Sequence, residues 1–399
     1  MVTSYTQNTE SLPLQEEVSA FLKDRTVDNI VAYVAQTASE HNPVVDISHT
    51  TPIGHVLHIL DEYDLQSLPV YRAASKGGKD YAGIVTLLDL LGVLVKGPTE
   101  TLPTPLSPTS SRQAPGTGST VSTYPPNGEG DSDEQEELDE THAIQRWKTA
   151  LSLPVSSVAS HTPPLRMFNT MTPLGDLLRY LAQRDHYQAL VHTRINPTEA
   201  GGESSLNPAV VVITQADLVR YLWQHHVEFP SLMDQKLPQL VDIRESRRPN
   251  HGVSSSTSIH SDQAVPVQTV PMSTSALRAF HRMWRHHVSS LAITDKYQTT
   301  DEASTMTYEP ISAEISVGHL RGITEARLDL LKRPVMAFLY AIQEEVATPF
   351  VVRSRFTFRQ CIAGLLQTGS RRAWYVADVD DRPLAVLSFT DILGYFTTY

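Results

Sequence analysis

The sequence predicts an α/β fold built from four copies of one β-α-β-β-α unit. Three observations predict it. Two stretches run through the same order of elements: NPVVDISHTTPIGHVLHILDEYDLQSLPVYRA followed by YAGIVTLLDLLGVL, and FNTMTPLGDLLRYLAQRDHYQALVHTR followed by NPAVVVITQADLVRYL. These copies share Thr51-Pro52-Ile53-Gly54 with Thr172-Pro173-Leu174-Gly175, and Thr86…Asp89 with Thr214…Asp217. A third stretch (VPMSTSALRAFHRMWRHHVSSLAI) and a fourth (VVRSRFTFRQCIAGLLQTGSRRAWYVAD, then LAVLSFTDILGYF) keep the rhythm.

The elements follow in order. Residues 1–23 form an N-terminal segment, polar to about residue 12, with helical spacing of apolar residues from Leu14 to Ala35. The first repeat is placed at 24–96. In its first helix Thr51 reads as an N-cap with Pro52 at the first helical position, and Ile53, Val56, Leu57 and Leu60 share a face. SLPVY and AGIVTL read as short apolar strands. Residues 97–142 are Pro/Ser/Thr/Gly-rich and end in the acidic run DSDEQEELDE, a composition that cannot bury enough apolar surface to offset chain entropy, so disorder is expected. This stretch reads as a solvated spacer or as a tail for a partner or a modifying kinase. The second repeat is placed at 143–225, the third at 226–343 and the fourth at 344–399. GGESSLNP interrupts the second; RESRRPNHGVSSSTSIHSDQA and KYQTTDEASTMTYEP interrupt the third. The stretch EARLDLLKRPVMAFLYAI reads as helical and joins the third repeat to the fourth.

Composition narrows the function classes. The chain has 399 residues with 40% hydrophobic content, enough for two or three domains with cores. Its formal net charge of -12 makes it a poor electrostatic match for nucleic acid or an acidic membrane. Cys361 is the single cysteine, which excludes an internal disulfide and a cysteine-based zinc cluster. No apolar run approaches the roughly 20 residues a spanning helix needs. MVTSYTQNTESLPLQEEV has neither a basic n-region nor an apolar h-region, so no secretory signal is expected. A cytoplasmic chain, with the nucleus also open to it, is the expectation.

The four copies in register resemble the CBS-domain family, over roughly residues 24–96 and 143–399. In that family two copies pair into a Bateman module with ligand clefts between them. Four copies in one chain resemble the γ subunit of AMP-activated protein kinase, its plant relatives, and fungal four-repeat regulators of type-2A-like phosphatases. The resemblance implies two Bateman modules forming a pseudo-symmetric disc, either within one chain or in a homodimer.

The resemblance also implies where a ligand sits. A Ser/Thr-x-x-Asp at the start of the last helix serves the sugar of an adenine nucleotide in the family, and the matching residues are Thr86 and Asp89, Thr214 and Asp217, and Ser388 and Asp391. The physics suits that role: a helix N-terminus favours anions, and a carboxylate can accept two hydrogen bonds from a ribose diol. The same pattern is also a helix capping motif that needs no ligand. In the third copy Ser316 aligns but His319 stands where the Asp should be, so that site is expected to be altered. Phosphates require cations. The positions before the second strand, basic in kinase γ subunits, are Gln66-Ser67, Tyr187-Gln188, Ser289-Ser290 and Arg371-Arg372, so the fourth copy alone keeps strong charge.

No catalytic set is evident. There is no P-loop and no GxSxG elbow. His225-His226 and His286-His287 are adjacent pairs that point to different helix faces and suit a metal poorly. Cys361 and Trp374 read as core residues. The expected function is a non-enzymatic regulatory subunit or adaptor that binds AMP, ADP or ATP without a metal. Its protein partner is expected to be a kinase catalytic or scaffold subunit, or alternatively a phosphatase. The competing expectation is an interaction scaffold whose ligand sites have degenerated.

Overall fold

The computed structural model describes residues 14–37, 44–74, 78–97, 139–158, 166–183, 186–193, 209–240, 267–294, 310–343, 345–379 and 381–397. The first thirteen residues, residues 98–138 of the linker and the insertions of the second and third repeats lie outside these.

Four small sheets repeat one topology. In each, a short first strand pairs parallel with a central strand, which pairs antiparallel with a third. The strands are β1 (Ile47–Ser48), β2 (Ser67–Ala73) and β3 (Lys79–Thr86); β4 (Met167–Asn169), β5 (Gln188–Thr193) and β6 (Ala209–Thr214); β7 (Thr269–Pro271), β8 (Ser290–Thr294) and β9 (Ile311–Ser316); and β10 (Val351–Val352), β11 (Arg372–Val376) and β12 (Pro383–Ser388). The central strands read as near-continuous apolar runs, as Leu68-Pro69-Val70, Ala189-Leu190-Val191 and Leu291-Ala292-Ile293 do. Both faces of each are covered, and these residues are buried. Trp374 on β11 is fully enclosed.

Ile53, Val56, Leu57 and Leu60 of helix Ile53–Glu62 are all buried, as their spacing predicts. Its N-cap is Pro52 rather than Thr51. Pro52 is extended (ψ 143°) because it bridges to Pro154, and the Ile53 N–H donates to the Leu153 carbonyl instead of to a capping side chain. The apolar lead-in from Leu14 is two helices, Leu14–Lys23 and Val27–Thr37. The stretch EARLDLLKRPVMAFLYAI is likewise split, into a 3-10 segment Glu325–Lys332 and a helix Val335–Ile342. Pro334 causes the break, because the residue before a proline is driven out of the helical region and Arg333 sits at ψ 155°.

The Pro52–Pro154 bridge is one of four equivalent contacts. The segment ahead of each repeat docks on the first helix of a neighbour. Thr26 bridges Pro173 and Pro154 bridges Pro52, so repeats 1 and 2 exchange lead-in segments. Lys236 bridges Thr357 and Pro334 bridges Ser275, so repeats 3 and 4 do the same. Backbone bonds flank each bridge, such as Val27 N–H to Thr172 O (2.8 Å) and Phe358 N–H to Gln235 O (2.8 Å). This exchange makes two modules of two repeats.

The apolar cores join repeats the other way. One core combines repeats 1 and 3, with Leu57, Leu90 and Leu94 packed among Phe280, Met283 and Phe338. Trp147, from the lead-in of repeat 2, is buried in it beside Phe280. The other core combines repeats 2 and 4 with the N-terminal helices, through Phe21, Leu178, Leu222, Phe358 and Phe396. Every repeat is therefore tied to one neighbour by exchange and to another by burial, in the closed order 1-2-4-3.

Candidate functional site

The three Thr/Ser–Asp pairs all form caps. At the start of helix Leu87–Lys96, Asp89 Oδ2 accepts from Thr86 N (2.9 Å) and Thr86 Oγ1 (2.7 Å), while Asp89 N donates back to Thr86 Oγ1 (3.2 Å). Thr214 and Asp217 repeat this at helix Gln215–Gln224, with distances of 2.9, 2.6 and 3.2 Å. At helix Phe389–Thr397, Asp391 Oδ2 accepts from Ser388 N (2.8 Å) and Oγ (2.9 Å). One carboxylate oxygen in each copy is thus committed to the backbone.

The third copy keeps the geometry with a different acceptor. His319 Nδ1 accepts from Ser316 N at 2.9 Å, which places the imidazole proton on Nε2. Burial, with the charges of Arg372 and Arg321, pushes His319 down from 6.5 to about 4. It is neutral near pH 7. The segment after it is a 3-10 turn, Val317–Leu320, instead of a full helix.

Strand register explains why the residues at the head of each central strand matter. Ser67 faces Thr86, Gln188 faces Thr214, Ser290 faces Ser316 and Arg372 faces Ser388. The four cap regions turn toward a common cavity of about 440 Å³, whose wall includes residues of every repeat. Leu87 and Leu88, Gln215 and Ala216, and Phe389 and Thr390 line it, so the N-termini of three helices of nine or ten residues meet there. Arg220, Arg371 and Arg372 add positive charge.

Of the eight residues singled out from sequence, Thr214, Arg371, Arg372 and Ser388 lie in this wall. Thr86, Asp89, Asp217 and Asp391 stand behind it, in the caps. The two arginines differ in their contacts. Arg372 Nη1 pairs with Glu314 Oε1 (3.0 Å) and reaches Ser289 O (3.4 Å), and Trp374 Nε1 donates to Glu314 Oε2 at 2.8 Å. Arg371 Nη2 reaches the Asp64 carbonyl (3.3 Å) and Asp64 Oδ1 (3.4 Å), and Arg321 pairs with the same carboxylate. Burial lowers the Arg371 pKa; Asp64 opposes this, while the like charges of Arg321, Arg372 and Arg220 add to it. The buried Gln188 lines the cavity with its Nε2 unpartnered, while its neighbour Gln215 spends Nε2 on Leu181 O, His186 O and Thr390 Oγ1.

Arg220, Arg321, Asp64 and Glu314 escape sequence reasoning. The register gives one usable signal: Asp64 stands two residues before Gln66, as Gly369 stands before Arg371, and both have positive φ (48° and 66°). Cys361 is buried, with its thiol pushed up to about 12, which fits a packing role. Among the described residues no group of three or more His, Cys, Asp or Glu could hold a metal ion, and no helix is long and apolar enough to cross a membrane.

Comparison with known proteins agrees with this architecture. The CBS-domain profile matches residues 39–96. Protein SDS23 of Candida albicans is 24% identical over 247 residues, 59% of this chain, and the match covers 33% of that protein's own length. In fold, the chain resembles protein MJ1225 of Methanocaldococcus jannaschii, a proposed archaeal homolog of g-AMPK. That likeness has a TM-score of 0.50 and 11% identity, covering 90% of this chain and 97% of that one. PAE2072, a CBS domain protein from Pyrobaculum aerophilum solved with AMP, aligns at 16% identity and a TM-score of 0.26 over 34% of this chain and 93% of that one.

Proposed function

We propose, for this CBS-domain protein, that the cavity shared by its four repeats binds the phosphate end of an adenine nucleotide, and that the chain acts as a non-enzymatic regulatory subunit or adaptor. The observation that carries the reading is the convergence of three helix N-termini with Arg220, Arg371 and Arg372 on one cavity. Such a site favours a ligand with several negative charges. Gln188 supplies an unsatisfied donor in the same wall, a buried group whose desolvation a ligand oxygen would offset.

Binding transmits only if the ligand discriminates between two arrangements of the repeats. The cavity suits that demand because its wall draws on all four, so occupancy acts on both modules at once. The partner we propose is a protein kinase of the AMP-activated type or a type-2A-like phosphatase. The match to a fungal protein favours the second, since the fungal members of the resemblance are phosphatase regulators. One observation favours a scaffold instead: Arg372 and Arg371 already have internal carboxylate partners in Glu314 and Asp64.

Calorimetric titration of AMP, ADP and ATP on the full chain separates these readings. Saturable binding, weakened at least about tenfold by Arg371→Ala, is the expected result, because a hydrogen bond between charged groups contributes about 1.5–3 kcal/mol. Absence of binding up to about 1 mM, where the binding free energy is about -4 kcal/mol, would leave the scaffold reading in its place. Co-purification with a kinase or a phosphatase then assigns the partner.

A further inference from the structure

Asp64 occupies the turn between helix Ile53–Glu62 and β2 in the left-handed region, at φ 48°. The equivalent turns of repeats 3 and 4 hold His287 (φ 50°) and Gly369 (φ 66°), so the backbone there accepts residues without a carboxylate. Packing does not require the acid either, since its side chain is 78% exposed. Its surroundings are specific. Asp64 Oδ1 accepts from Arg321 of repeat 3 and, at 3.4 Å, from Arg371 of repeat 4, and Arg371 also takes the Asp64 carbonyl at 3.3 Å. Among the described residues it is the one acidic side chain in the cavity wall.

A carboxylate bridging two guanidiniums reproduces the contact that a phosphate oxygen would make with them. An ion pair this open to water is also weak, so a ligand with more than one negative charge can replace it. We propose that Asp64 is a chain-borne counter-ion that holds the phosphate position of the cavity until a nucleotide phosphate displaces it. This rests on the reading of the cavity as a nucleotide site and adds its regulation. While Asp64 occupies the position, repeat 1 is tied to repeats 3 and 4. When phosphate takes Arg371, the polar tie from the Asp64 turn to repeats 3 and 4 is released, while the apolar core shared by repeats 1 and 3 stays in place. The ligand thereby has a differential affinity for tied and untied states, as coupling to a partner requires.

The test is titration of ATP into the full chain carrying Asp64→Asn, Arg371→Ala, or neither. Asn tolerates the left-handed conformation and keeps an acceptor oxygen, so the substitution removes charge and little else. Asp64→Asn is expected to tighten ATP binding about three- to tenfold at low salt, with the gain shrinking as salt is added. Its ligand-free melting temperature should fall, and its ATP-induced rise should exceed that of the wild type. Binding by the wild type that Arg371→Ala weakens but Asp64→Asn leaves unchanged, or weakens as well, overturns this inference while the nucleotide reading stands. Binding indifferent to both substitutions places the ligand elsewhere and overturns the inference. Lack of ATP binding in every form overturns the nucleotide reading and this inference with it.

Discussion

Repeats 3 and 4 share a backbone plan and differ in what fills it. Both turn from a third strand into a cap whose acceptor lies three residues on, but the acceptor is His319 in one and Asp391 in the other. The fourth repeat continues into the helix Phe389–Thr397, whereas the third stops after the 3-10 turn Val317–Leu320. The strand residue facing the cap is Ser290 in repeat 3 and Arg372 in repeat 4. The difference teaches that the cap is a structural requirement which several side chains can meet. A Ser/Thr-x-x-Asp pattern therefore reports a helix start. Charge at the head of the central strand and a full helix behind the cap are what make one repeat better suited to an anion than another.

The two repeats are held together through Glu314, which takes Arg372 with one oxygen and Trp374 Nε1 with the other. The largest expected effect comes from breaking this tie on its apolar side. Trp374→Ala empties a fully enclosed site and should cost about 3–5 kcal/mol, read as a fall in the urea midpoint. Trp374→Phe keeps most of the volume but leaves Glu314 Oε2 without this donor, for about 1–3 kcal/mol. Equal costs for the two would show that the hydrogen bond, and not packing, joins the repeats.

The next effect distinguishes the two cap acceptors by pH. His319 is held near 4 in the folded protein against 6.5 ordinarily, by burial and by Arg372 and Arg321. A base with a depressed folded-state value binds its proton less readily in the native state. The unfolded chain therefore takes up protons first as pH falls below about 6.5, and stability declines until about pH 4. The full contribution is about 3 kcal/mol, of which about 2 kcal/mol is lost between pH 7.5 and 5. His319→Gln, a neutral acceptor, should flatten the urea-unfolding midpoint over that range relative to the wild type. A variant as pH-sensitive as the wild type would remove His319 from the account.

Much of this was legible in the sequence because it depends on local pattern. Repetition at a fixed order of elements gave the α/β units, and apolar runs such as Ala189-Leu190-Val191 gave the buried central strands. The caps followed from residue types at fixed spacing. What was not legible depends on contacts far apart in the chain. Exchange of lead-in segments is written as Pro52 meeting Pro154 and Lys236 meeting Thr357, and nothing local to either member announces its partner. The same holds for the pairing of cores across modules, and for Asp64 meeting Arg371 over 307 positions. Arg371 and Arg372 stood out as one basic pair, yet Arg371 lies in the turn before β11 and Arg372 opens the strand, and the two reach carboxylates in different repeats.

The smallest expected effect separates capping from ligand binding in the fourth repeat. Asp391→Ala removes the acceptor for Ser388 N and Oγ and should cost about 1 kcal/mol. Asp391→Asn keeps an amide oxygen for the same bonds and should cost less than that. His319→Ala, the matching change in repeat 3, is expected to cost more than Asp391→Ala near pH 7, since it deletes a cap acceptor and also empties the space of a buried imidazole. Nucleotide binding then divides the repeats. A carboxylate can accept from both hydroxyls of a ribose, and an amide offers one acceptor oxygen in its place. If Asp391 serves a ligand as well as the helix, Asp391→Asn should weaken nucleotide binding severalfold at nearly unchanged stability, while His319→Gln leaves binding as it was. Should both substitutions leave affinity untouched, the cap pairs are structural throughout, and anion recognition rests on the arginines and helix ends alone.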